Sequence, residues 1–341
     1  MSESRMPVIQ SVRSLCFGLA VSLSFSCCAA FAQTPVAASA PSSPTAAATQ
    51  AAPPAGQTAD DNGNFTLKST VNEVNLIFTV TDKHGHFINN LEPKDFALLD
   101  DQKPPAQLYS FTQQTNLPLR VGLLIDASTS IRLRFKSEQQ DATEFLLEVL
   151  RPQTDRAFVM GFNAKPYITQ DYTNDPDKLE AGVNKLEPAG GTALYDAIYT
   201  ACRDKLLSAA PAQTTIRKAL VVISDGDDNQ SRAYLDDAIK MCQRAETIVY
   251  TISTNTGPTR DRGDDTLIKI SLATGGTTFF PKRIEDMAVN FKQVQAELRS
   301  QYALAYKPSD FKTDGAFRTI YLEALDRHYT VRARKGYFAP K

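Results

Sequence analysis

The stretch VGLLIDASTS, Val121 to Ser130, ends an apolar run on Asp126 and then sets Ser128 and Ser130 two and four residues further on. Two later segments finish in the same way. Gly190-Gly191-Thr192 opens a helical pattern, and Ser224-Asp225-Gly226 follows the apolar run KALVVIS. None of the three contains histidine or cysteine, so the donors are carboxylate and hydroxyl oxygens throughout. Oxygen donors of this kind suit a hard cation, and octahedral Mg²⁺ keeps waters beside few carboxylates. With only Asp126 and Asp225 formally charged, a divalent ion held there would be near neutral and able to attract one further carboxylate. A competing reading is that Asp126 and Ser130 cap the following helix, as Asp and Ser do at helix starts.

These residues need a frame that brings them together. The runs VGLLI and ALVVI lack alternation, as expected for strands covered on both faces. From Leu119 onward, strand-like segments (LRVGLLID, RAFVMGFN, PYITQDYT, KALVVIS, TIVYTIST, TTFFP) alternate with amphipathic ones (SEQQDATEFLLEVL, DPDKLEAGVNKL, TALYDAIYTACRDKLLSA, YLDDAIKMCQRAE, DTLIKISLATG, IEDMAVNFKQVQAELRSQY). In the last of these, Ile284, Met287, Ala288, Phe291, Val294 and Leu298 recur at three- and four-residue steps and define a core-facing stripe. Right-handed crossovers then generate an α/β fold with a doubly wound, mostly parallel sheet. Ligands of such sheets sit outside the carboxyl ends of the strands, where the three oxygen-rich segments would converge.

The flanks read as β structure. Before the alternating region, Val74, Leu76, Phe78 and Val80 alternate on one face; DKHGHF supplies a turn; Pro93 to Phe96 form a helical turn, and further strands follow. After it, YALAYKPSDF, FRTIYLEAL and HYTVRARKGYFA are strand-like. The two ends are expected to pair into one small additional β domain built from N- and C-terminal strands. The division is residues 1–32, a signal peptide; 33–62, a linker; 63–115, an N-terminal β segment; 117–300, the α/β domain; and 301–341, a C-terminal β segment packing with 63–115.

The signal peptide is read from Arg5 and Arg13, the apolar stretch Leu15 to Phe25, and Ala30-Phe31-Ala32 before Gln33. Ser24-Phe25-Ser26 is a poor match to a lipidation site at Cys27. Gln33 to Ala59 carries no charge and few large side chains, so it reads as a disordered tether. No later run approaches the ~20 apolar residues of a membrane span. A formal net charge of −1 without like-charge runs gives no support to a nucleic-acid partner. Of five cysteines, Cys202 and Cys242 remain after cleavage. They are either a bridge between two helices or, the preferred reading, two small buried apolar side chains.

The D-x-S-x-S run, the threonine after paired glycines and the later Asp-Gly loop resemble the metal-ion-dependent adhesion site of von Willebrand factor type A domains. The similarity spans Leu119 to Arg299, including ATGGTTFF before the last helix. It implies the doubly wound fold, a bound Mg²⁺ (or Mn²⁺ or Ca²⁺), and a protein partner whose Asp or Glu completes the coordination. Carried over, Ser128 and Ser130 ligate directly, while Asp126 acts mainly through water and by orienting the serines. Thr192 alternates between direct and water-mediated contact, and Asp225 does so in the reverse sense. The flanking sequences VTDKHGHFINNLEPKDFALLDDQKPPAQLYSF and YKPSDFKTDGAFRTIYLEALDRHYTVRARKGYFAP resemble an exported bacterial family found abundantly in Acidobacteria.

The function this favours is an exported, metal-dependent protein-binding or adhesion module, periplasmic, at the cell surface or secreted, and not an enzyme. The alternatives are a metal-independent structural envelope component and a metal-dependent hydrolase. The hydrolase would need a nucleophile or general base that the cluster lacks; position 128 is Ser where aspartyl-phosphate phosphatases carry a second Asp, and no G-x-S-x-G occurs. His84-Gly85-His86 reads as a solvated hairpin turn and His328 has no obvious partner. Arg262-Gly263-Asp264 reads as a polar connection with a turn glycine, and Asp227 and Asp228 as loop or helix-start residues.

Overall fold

In the computed structural model, residues 57–59, 65–67, 73–114, 117–132, 134–208, 216–255, 257, 259–283 and 286–340 are described. The signal peptide and most of the linker read from the sequence lie outside them. The chain divides into two units, Met1–Lys68 and Ser69–Lys341. In the first, β1 (Gln57–Ala59) pairs antiparallel with β2 (Phe65–Leu67), Gln57 opposite Leu67. The sequence assigns Gln57–Ala59 to the tether; a two-stranded ladder uses backbone N–H and C=O groups, so it forms without the large apolar side chains that were missing there.

The second unit opens with β3 (Val74–Thr81), β4 (Phe96–Asp100) and β5 (Gln107–Gln114). The alternating region follows as β6 (Leu119–Asp126), α1 (Phe135–Val149), β7 (Arg156–Phe162), β8 (Pro166–Thr173), α2 (Pro176–Asn184) and α3 (Leu194–Thr200). It continues as β9 (Arg217–Ser224), α4 (Leu235–Arg244), β10 (Ile248–Ser253), α5 (Arg262–Thr274), β11 (Thr278–Phe279) and α6 (Met287–Arg299).

The six strands order as β11-β10-β9-β6-β7-β8, parallel except for β8 against β7. Successive strands step one way from β6 to β7 and the other way from β9 to β10. The switch point therefore falls between β6 and β9, whose carboxyl ends are Asp126 and Ser224. This is the α/β, doubly wound, mostly parallel sheet expected from the sequence.

The uninterrupted apolar runs are explained by two cores. Val121, Leu123 and Ile125 pack with α1 and α6 residues such as Phe145, Phe291 and Leu298 on one face. Leu124 packs with Leu194, Ile198, Ile239 and Leu267 on the other. In α6 Met287, Phe291, Val294 and Leu298 of the predicted stripe are buried and Ala288 is partly so, while Ile284 lies outside the described residues. The last predicted helical residues differ: α6 stops at Arg299, and Gln301 and Tyr302 begin β12 (Gln301–Lys307).

The preference for free, buried cysteines is corrected. Helix α3 runs on into a π-helical segment, Ala201–Leu206, and its Cys202 is joined to Cys242 of α4 with Cα atoms 5.0 Å apart. Both are fully buried. A spacing of 40 residues does not disclose that α3 and α4 lie side by side on one face of the sheet.

The chain closes with β13 (Phe317–Ala324), β14 (Thr330–Ala333) and β15 (Gly336–Phe338). Strands from both ends interleave as two antiparallel sheets, β14-β3-β12-β5 and β15-β13-β4. They share one core in which Leu76, Phe78 and Val80 meet Tyr302, Tyr306, Ile320 and Tyr337. The end of α6 is held there: Glu297, buried, accepts from Arg332 (2.7 Å) of β14 and from Thr79 (3.3 Å) of β3.

Candidate metal centre

At the switch point, β6 ends on a buried carboxylate whose two oxygens have separate duties. Asp126 Oδ1 accepts the Ser128 backbone N–H (2.9 Å), and Oδ2 accepts the Ser224 hydroxyl (2.8 Å). The first bond turns the chain sharply out of the strand; the second ties β6 to β9 across the switch. Helix capping is not what these residues do. The turn beginning at Thr129 has no side-chain cap, and α1 starts at Phe135 behind Arg134, also without a side-chain cap.

The serines form a directed chain. Ser130 donates to Asp225 Oδ2 (3.2 Å), which uses its single proton, so in the Ser128–Ser130 contact (2.8 Å) the donor is Ser128. Asp126, Ser128, Ser130 and Asp225 are thus one connected group. The loop carrying Thr192 is brought alongside: Thr129 gives both its N–H (3.2 Å) and its hydroxyl (3.1 Å) to the Gly190 carbonyl, and Ala189 N–H bonds Ala127 O (2.8 Å). Thr192 is buried, and its backbone exchanges hydrogen bonds with Asn229 in both directions. Among the described residues no hydrogen bond ties the Thr192 side chain to the other four.

The Asp225 loop depends on two glycines. Gly226 has φ +84°, and a Cβ there would lie 2.1 Å from Gly263 O; a Cβ on Gly263 would lie 2.2 Å from Asp225 O. Gly263 belongs to the Arg262-Gly263-Asp264 tripeptide. That tripeptide is the first turn of α5, not the polar connection read from the sequence, with Asp261 and Asp264 forming a capping box. The acidic box three residues apart was the signal for an earlier helix start.

Burial raises the Asp126 carboxyl to about 6 against the hydrogen bonds from Ser128 and Ser224, and the charge of Asp225 adds to the rise. Asp225 is also raised, by burial first and then by Asp227 and Asp261 despite its hydrogen bonds from Asp227 and Ser130. Two carboxylates that resist ionisation beside one another are stabilised as anions by a cation between them. The donor set of two carboxylates and inward hydroxyls therefore fits a hard divalent ion. Among the described residues, no three His, Cys, Asp or Glu side chains group to hold a metal.

Sequence reasoning missed Ser224 and Asn229 as supports. Ser224 stands next to Asp225 at the end of an apolar strand, the same placement that flagged Asp126. Asp228 serves the start of α3, accepting from Tyr195 N–H (3.0 Å), while His84 and His86 flank a turn closed on Asp82. His328 Nδ1 lies 2.7 Å from Asp326.

A family model of the von Willebrand factor type A domain matches residues 121–297, and the chain belongs to that family. No curated protein matches it. Among solved structures, it resembles the conserved hypothetical protein BatB from Bacteroides thetaiotaomicron at 15% identity and TM-score 0.43, over 53% of this chain and 100% of that one. A von Willebrand factor type A protein from Catenulispora acidiphila is 15% identical, TM-score 0.47, over 72% and 73% of the two chains. Proximal thread matrix protein 1 from the mussel byssus, with a zinc-occupied MIDAS motif, is 13% identical, TM-score 0.46, over 58% and 50%.

Proposed function

We propose that this chain is an exported protein-binding module that grips an acidic residue of a partner protein through a divalent cation, Mg²⁺ in the first instance. The observation that carries the reading is the connected group Asp126–Ser128–Ser130–Asp225 at the switch point, in which two raised carboxylates are linked through the two serines of a single turn. Ser128 and Ser130 would hold the ion through their hydroxyls, Asp126 would orient them, and Thr192 and Asp225 would complete the set. The ion would supply a Lewis-acidic position for the partner's Asp or Glu. The protein's own part is to fix the serines, which it does through Asp126 and Ser224, and to keep the loops of Thr192 and Asp225 in register. None of the three segments that carry the group holds a histidine or cysteine, and the reading we favour is binding and not catalysis.

Export rests on the N-terminal sequence pattern, and the acidobacterial-type resemblance of the flanking strands belongs to the same reading. We further propose the division 63–115, 117–300 and 301–341 for the chain beyond the linker; the pairing of β12 with β3 and β5 supports grouping the first and last of these from Ser69 onward. Among the described residues no helix is long and apolar enough to cross a membrane. Titration calorimetry with Mg²⁺ tests the ion, and a second titration with a Glu-bearing peptide, with and without Mg²⁺, tests the partner chemistry. A saturable Mg²⁺ site lost in Asp126→Ala, with peptide affinity that depends on Mg²⁺, is expected. No Mg²⁺ binding, or binding indifferent to Asp126→Ala, returns the chain to a metal-independent structural role.

A further inference from the structure

Glu138 lies one turn into α1, outside the group just described, and is 2% exposed. Its Oε2 has no hydrogen-bond partner, and neither has the hydroxyl of Thr254, which is 3% exposed. Both residues line a cavity of about 20 Å³ at the end of β10, together with Arg134, Ser253, Met287 and the solvent-exposed Arg283. That volume accommodates one water molecule, and two orphan polar atoms are what such a water bridges. Thr254 also reaches the candidate centre: its N–H bonds Ser224 O (3.0 Å), and the Ser224 hydroxyl holds Asp126. On the other side, Thr254 O accepts from the Arg134 guanidinium.

A buried carboxylate with an unmade hydrogen bond is costly as an anion. The charged groups that act on Glu138 are Arg134 and Asp141 from its own segment, Asp126 at the end of β6 and Asp225 after β9; Arg283 borders the same cavity. The end of β10, the residue that follows it and α6 contribute the uncharged Ser253, Thr254 and Met287 to the wall. Burial raises Glu138 to about 7; Arg134 opposes, and Asp126, Asp225 and Asp141 add to the rise. A divalent ion between Asp126 and Asp225 cancels the negative field that those two carboxylates impose on Glu138.

We propose that Glu138 is a proton-exchanging carboxylate coupled to the candidate metal centre: entry of a divalent cation beside Asp126 and Asp225 drives a proton off Glu138 to solvent through the cavity it shares with Thr254. The inference rests on the metal-binding reading above. By reciprocity the cation binds more tightly as pH rises through neutrality, and protonation of Glu138 weakens it.

The test is Mg²⁺ titration calorimetry at pH 7 in buffers of different ionisation enthalpy, which counts protons released per ion. Wild type is expected to release roughly half a proton per ion, and Glu138→Gln a small fraction of that. Carbon-13 NMR of the Glu138 carboxyl in wild type provides a readout independent of the variant's folding; its titration midpoint should fall by about one unit or more on saturation with Mg²⁺. Saturable binding with equal proton release in both proteins, or an unmoved Glu138 midpoint, overturns the coupling and leaves the metal centre standing. Absence of saturable Mg²⁺ binding in wild type overturns the metal centre and the coupling with it.

Discussion

Ser130 donates to Asp225 across 3.2 Å, joining loops 95 residues apart in the chain. The bond spans the point where the strand order reverses, so the two residues meet because of topology and not because either loop is long. Their shared group is well supported from below by Ser224, which is fully buried. Ser224→Ala leaves Asp126 Oδ2 without its hydroxyl donor, and should weaken Mg²⁺ binding roughly 10- to 100-fold, the usual cost of losing an outer-shell support. Calorimetry of the variant checks this, with thermal unfolding as the control for fold.

Gly226→Ala places a methyl group against Gly263 O at 2.1 Å and forces a residue with a Cβ to φ +84°. The backbone must move, carrying Asp225 with it. A stability loss of about 2 kcal/mol or more is expected from strain and overpacking together, accompanied by lost cation affinity. Denaturant unfolding and Mg²⁺ titration measure the two effects separately.

The motif residues were legible because hydroxyls and carboxylates at the ends of apolar runs are conspicuous, and the runs themselves gave the sheet. Val121, Leu123 and Ile125 on one core and Leu124 on the other show why those runs do not alternate. What stayed hidden depended on long-range approach. Cys202 and Cys242 look like ordinary core residues until α3 and α4 are seen side by side. Glu138 looks like one more solvent-facing glutamate of an amphipathic helix, but it is buried and lines a cavity with Thr254 and Met287, which lie more than 100 residues away in the chain.

The disulfide closes a separation of 40 residues, for which chain-entropy arguments give about 4 kcal/mol of stabilisation. It lies in the core on the α3 and α4 face, away from the Asp126 turn. Cys202→Ser with Cys242→Ser should therefore lower stability by up to about that amount and leave Mg²⁺ affinity unchanged. Chemical unfolding under oxidising and reducing conditions, followed by Mg²⁺ titration of the folded variant, checks both parts.

At the opposite end of the sheet, Asp155 accepts from Leu119 N–H (2.8 Å), Arg151 N–H (2.9 Å) and the Arg299 guanidinium. Burial works to raise its carboxyl, but these three partners together hold it below its ordinary value of 3.8. A depressed carboxyl contributes stability that is present above the unfolded value and lost as pH falls through the folded one. Stability should therefore decline from about pH 4 downward. Asp155→Asn should remove part of that dependence and cost about 3 kcal/mol at neutral pH, since Arg299 loses its buried partner. Urea unfolding of both proteins between pH 3 and 7 reads the difference.

Buried Glu297 and half-buried Arg332 tie α6 to β14 through an ion pair 2.7 Å apart. Arg332→Met strands the carboxylate, and should cost about 3 kcal/mol or more, whereas adding Glu297→Gln should restore a large part. A double-mutant cycle by chemical denaturation measures that coupling.

We propose that a divalent cation is held among Asp126, Ser128, Ser130, Thr192 and Asp225. Anomalous diffraction from a crystal grown with Mn²⁺ locates such an ion without reference to any model of function. One strong peak is expected within ordinary coordination distance, about 2.2 Å, of the Ser128 and Ser130 hydroxyl oxygens, absent in Asp126→Ala crystals. A Mn²⁺ peak elsewhere with none at the two serines, or a serine-bound peak that persists in Asp126→Ala, would contradict it.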